Sequence, residues 1–156
     1  ADGWEPGPEK FAFMICCHVN DTDEKAEEAG KAILWRMGHP VKGPREYWSP
    51  PGYVALQPPT ATPPPRRKTT AEQTYEELQE NYHLVVGSPD TVRKRILECH
   101  HTLGFANFIA LLHFGTLPAD LTERNIRLFA EHVMPALKPV GDAQYRGFER
   151  ARSAAE

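Results

Sequence analysis

Residues 84–137 decide the fold. They read LVVGSPDTVRKRILECHHTLG (84–104), then NFIALLHFGTLP (107–118), then DLTERNIRLFAEHVMPAL (120–137). This is a strand, a helix, a strand and a helix in direct succession. His83 to Val86 is a short apolar run suited to a buried strand. Gly87-Ser88-Pro89-Asp90 has strand-to-helix turn chemistry: Ser88 as N-cap, Pro89 at the first helical position, Asp90 against the dipole. Val92, Ile96, Cys99 and Leu103 make the inner stripe of that helix, and Gly104 ends it. Asn107 to Phe114 is the next strand, with Phe108, Ala110, Leu112 and Phe114 on one face and Asn107, Ile109, Leu111 and His113 on the other. The last helix starts near Asp120 and buries Leu121, Ile126, Phe129, Val133 and Leu137, with Pro135 bending its final turn. A strand–helix–strand run of this length implies parallel strands, because a parallel pair needs a crossover helix.

The same pattern begins further upstream. Phe11 to Val19 is an apolar run followed by Asn20-Asp21-Thr22-Asp23. Its alternation puts Phe11, Phe13, Ile15, Cys17 and Val19 on one face, and Ala12, Met14, Cys16 and His18 on the other. Thr22 is an N-cap for a helix running to about Met37, with Ala26, Ala29, Ile33 and Met37 buried and with Gly38 and Pro40 as its stop. Thr70 caps a short helix over 71–81. Three parallel strands leave open sheet edges, so the sequence points to a part of something larger.

Residues 40–70 differ in kind. Nine of the chain's 15 prolines fall there, which reads as a long loop of polyproline character. Tyr47, Trp48 and Tyr53 lie within seven positions of it, more aromatic surface than a bare linker carries. Residues 139–156 are polar and are expected to form a mobile tail beyond a folded unit at 1–138.

Composition sets bounds on function. Apolar residues make up 40% and charged residues 25% of the chain, as in an ordinary soluble globular protein. A net charge of −3 implies no large basic surface, so nucleic acid is not an expected partner. No apolar run approaches the length of a membrane span, and no signal peptide is visible. Cys16, Cys17 and Cys99 form no CxxC pair, which fits reduced thiols in the cytoplasm and neither a disulfide framework nor a zinc site.

The order and wording of five segments resemble the C-terminal region of luciferase-like flavin monooxygenases. They are VNDTDEKAEEA (19–29), PPGY (50–53), VVGSPDTVRKRI (85–96), NFIALLHFGTLP (107–118) and NIRLFAEHVMPAL (125–137). The resemblance implies an α/β fold, the C-terminal portion of a (βα)8 TIM barrel, with residues 40–70 as the insertion that covers the active site. It implies oxidation of a small organic substrate by reduced flavin (FMN) and oxygen. In such a barrel Met14, Cys16, His18 and Phe114 would line the flavin and substrate cavity with Tyr53 of the insertion, and His113 would be the catalytic imidazole. In the sulfonate-cleaving branch the position matching Cys16 is an active-site His. Gly87 and Ser88 would offer a helix N-terminus to the cofactor phosphate. The family's N-terminal half, which carries most of the flavin grip, has no counterpart here. FMN is therefore expected to need more than this chain, and the expected partner is a complementary N-terminal half or another subunit in an oligomer. Two other readings stay open: a non-catalytic half-barrel, and a deazaflavin-dependent oxidoreductase.

Overall fold

The computed structural model describes residues 7–38, 44, 68–114 and 116–155. Among the described residues apolar runs build three strands, β1 (Ala12–Val19), β2 (Leu84–Gly87) and β3 (Asn107–Leu111). They form one parallel sheet in the order β2-β1-β3. In the register Cys16 stands beside Leu84 on one side and Leu111 on the other, and Met14 beside Ile109. The connections are helical: α1 (Asp23–Gly30), α2 (Ile33–Gly38) and α3 (Tyr75–Glu80) before β2, then α4 (Pro89–Leu103) between β2 and β3. After β3 come α5 (Ala119–Leu128), a π-helical turn (Phe129–Val133) and α6 (Met134–Ala155).

Both faces of the sheet are covered. Cys16, Leu84 and Val86 pack with Ala26 of α1, Ile33 of α2 and Tyr75 and Leu78 of α3. Ile15, Cys17, Val19 and Val85 pack on the opposite side with Val92 and Ile96 of α4 and with Phe129 and Val133. Cys16 and Cys17 thus face opposite ways, as the strand period requires, and all three cysteines are buried and in no disulfide among the described residues.

The parallel α/β reading therefore holds, while the arrangement of the strands differs from a barrel segment. In a barrel, consecutive strands are neighbours and helices line only the outer face. Here β1 is central, and the face assigned to the barrel interior carries α1, α2 and α3. An open three-stranded sheet must shield two apolar faces, and crossovers on both sides do so.

Local chemistry shifts several boundaries. The helix expected from Thr22 to Met37 breaks at Lys31-Ala32, directly after Gly30. A methyl built on Gly30 would stand 2.6 Å from Val86 Cγ1, so glycine lets α1 lie close on β2 but weakens the helix at that point. The helix expected over 71–81 is shorter, because Thr69–Glu72 and Thr74–Glu77 each form a capping box and restart the chain. Residues 139–155, expected as a mobile tail, continue α6. Two contacts favour this helix: Lys138 pairs with Asp142 one turn on, and Gln144 donates to the Gly104 carbonyl. The π-helical turn accommodates Pro135, since the Met134 N–H reaches back to the Phe129 carbonyl.

Candidate functional site

The carboxyl ends of the strands share one edge, and the polar residues of the sheet gather there. His18 is next to last on β1 and 1% exposed. Among the described residues neither of its ring nitrogens has a hydrogen-bond partner. Burial pushes its pKa down from 6.5 to about 4, so the imidazole is neutral near pH 7. Phe114 meets it edge-on, with ring centroids 6.1 Å apart.

Asn125 of α5 lies across the same edge and is fully buried. Its Oδ1 accepts the Val19 N–H at 2.7 Å, and its Nδ2 donates to the carbonyls of Cys17 (3.1 Å) and Leu112 (2.8 Å). β1–β3 pairing ends at Cys16 and Leu111. The Asn125 amide takes over where the strands part, satisfying backbone groups that would otherwise be buried and unpaired. The neighbouring Arg124 grips the Asp21 carboxylate with both oxygens in reach, and this contact holds Asp21 below the usual carboxylate range. Sequence reading passed over Asn125. The signal was there: it stands four residues after Leu121 and four before Phe129, a polar residue inside an apolar stripe. Ile126, expected to be buried in that stripe, is exposed instead.

The predicted site residues do not all converge. β3 ends at Leu111, so the two-residue alternation stops before His113. His113 is consequently exposed, and Phe114 takes the inward place beside His18. Met14 lies on the His18 face but toward the amino end of β1, and is 59% exposed. Cys16 belongs to the packed core under α1 and α3. Tyr53 and Trp48 lie outside the described residues.

Ser88 caps α4 as expected, accepting from the Thr91 N–H. The turn's own N–H is not open to a phosphate, because Ser88 N donates to Asp23 Oδ1 at 2.6 Å and Thr91 Oγ1 donates to Asp23 Oδ2 at 3.0 Å. The Ser88 N–H is the largest cause of the lowered Asp23 pKa. Gly87 is equally enclosed, since a methyl there would meet Thr91 Cγ2 at 2.7 Å and Asp23 Oδ1 at 2.9 Å. The helix N-terminus already holds an anion, the carboxylate of α1. His100 is structural: its Nδ1 stands 2.7 Å from the Phe105 carbonyl. Among the described residues no group of three or more His, Cys, Asp or Glu side chains is placed to hold a metal ion. No helix there is long and apolar enough to cross a membrane.

The fit to a flavin fails at two points on this chain. The turn assigned to the phosphate is closed by Asp23, and the surface assigned to the ring system is packed core at Cys16 and Phe114. Comparison with family models, with curated proteins and with solved structures finds no match to the chain.

Proposed function

We propose that this chain is the C-terminal part of a luciferase-like, flavin-dependent monooxygenase, acting on a small organic substrate, whose flavin seat is built by a second polypeptide segment. The observation that carries the reading is His18. A neutral imidazole whose ring nitrogens have no partner among the described residues, buried at the carboxyl end of a central parallel strand, can orient a substrate by hydrogen bonding. The motif succession from VNDTDEKA to FAEHVMPAL supplies the family. The barrel belongs to the proposal too, and makes a sharp demand: in the complete protein β2 must lie between β1 and β3.

A second reading is favoured by the strand order itself. A sheet ordered β2-β1-β3 with both faces covered already satisfies most of its apolar surface, which suits a flavin-free partner subunit. Affinity purification of the tagged chain from its source cells separates the two. The flavin reading expects a second polypeptide and stoichiometric bound flavin, with oxygen-dependent turnover; a deazaflavin spectrum and indifference to oxygen would move the activity to hydride transfer. A stable, flavin-free assembly would establish the non-catalytic reading and end the proposal.

A further inference from the structure

The strand order has a consequence that does not rest on the flavin reading. The chain leaves β1 toward α1 on one face of the sheet, and leaves the neighbouring β3 through Phe114, Leu117 and Leu121 on that same face, before α5 crosses the carboxyl edge to the π-helical turn, whose Phe129 and Val133 lie on the other. Where two adjacent parallel strands send their connections to opposite faces, a crevice opens beyond their carboxyl ends, and open α/β sheets bind ligands there. Such a cleft is present. It measures about 400 Å³ and lies between Asn20, Lys25, Ala29 and Ala32 on the β1–α1 side and Leu117 and Leu121 on the β3–α5 side. Its size falls within the range of small-molecule sites, roughly 300–1,000 Å³.

The lining defines the chemistry. Ala29, Ala32, Leu117 and Leu121 give an apolar bed, while Pro118 and Glu28 complete the rim. Asn20 is the buried polar group, only 6% exposed. Its amide is fixed in one orientation: Oδ1 accepts the Asp21 N–H at 2.9 Å, and one Nδ2 hydrogen goes to the Lys25 carbonyl at 3.4 Å. The second Nδ2 hydrogen has no acceptor among the described residues. It is a preset donor at the cleft, and the Lys25 ammonium, which also pairs with Asp21 Oδ2 at 3.6 Å, is a second. We infer that this cleft binds a small, largely apolar molecule that presents an acceptor oxygen, a carboxylate or an amide carbonyl.

The test is a titration of the ¹⁵N-labelled full chain followed by heteronuclear NMR, with pentanoate, pentanamide and pentylammonium as probes. Pentanoate and pentanamide should shift the Asn20 side-chain amide and the backbone amides of residues 119–121 saturably, with Kd on the order of millimolar for ligands this small. Tighter binding of pentanoate identifies the carboxylate as the preferred group, and equal binding the carbonyl. Pentylammonium, which offers donors only, should leave these signals in place. Ala29→Phe fills the cleft and should weaken pentanoate on the order of 10-fold or more. If that variant does not fold, Leu121→Trp fills it from the opposite wall, and the selectivity among probes is read on the unmodified chain in any case. Shifts that do not saturate, that scatter over the surface, that respond equally to pentylammonium, or that survive the filled cleft overturn the inference.

Discussion

At the scale of single residues, the two imidazoles at the carboxyl edge behave in opposite ways. His18 is sealed in the sheet, whereas His113 stands in solvent. The difference carries a pH signature. His18 titrates near 6.5 when unfolded and near 4 when folded, so between those values the unfolded chain binds more protons and stability falls as pH falls. The loss should reach on the order of 1–2 kcal/mol once solvent screening is allowed for. Urea unfolding at pH 7 and pH 5 checks it: His18→Leu should flatten the difference. A His18→Leu chain with the full pH dependence would show that another group titrates. Asn125 presents a different case, since its loss strands several buried backbone groups. Asn125→Leu should cost about 3 kcal/mol or more, read as a lowered urea midpoint. A cost under about 1 kcal/mol would mean the strands rejoin without it. His18 was legible in the sequence, as a polar side chain on one face of an otherwise apolar strand. The position of His113 was not, because where a strand stops depends on tertiary pairing that alternation alone does not encode.

Among the elements, α1 is set by what it lacks. Gly30→Ala improves intrinsic helix propensity by up to ~1 kcal/mol yet drives a methyl against Val86, and the clash should win, giving a net loss of ~1–2 kcal/mol. Val86→Ala in the same chain should recover part of that loss, and a double-mutant cycle of unfolding free energies measures the coupling. Additive effects would place the strain elsewhere. Helix ends were legible at α1 and α4, where Thr22, Ser88 and Gly104 cap as their chemistry predicts, but not at α3, which Thr74 caps in place of the expected Thr70. Helix continuity was less so. Pro135 read as a bend in the final turn, yet a π-helical turn and the contact from Gln144 to the Gly104 carbonyl carry the helix on through it and through Pro139.

For the whole molecule, parallel strands followed from connection length, but strand order did not. Local periodicity says which face of a strand is apolar and nothing about which strand lies beside it. Among the described residues an apolar region of the sheet stays open where Met14 (59% exposed) and Ile109 (47%) stand side by side at its amino half. The isolated chain should therefore associate at micromolar concentration. Sedimentation velocity should show species heavier than 17.6 kDa, reduced by Met14→Lys with Ile109→Lys. A wild-type chain that stays monomeric would remove this surface as the cause. The central place of β1 matters also for biosynthesis. Among the described strands it leaves the ribosome first, and its partner β2 follows only about 70 residues later. At ~5–20 residues per second, the run from Phe13 to Val19 waits several seconds for β2. Over that interval β1 lacks the β2 pairing it has in the finished sheet, so the nascent chain should be the form more dependent on chaperones.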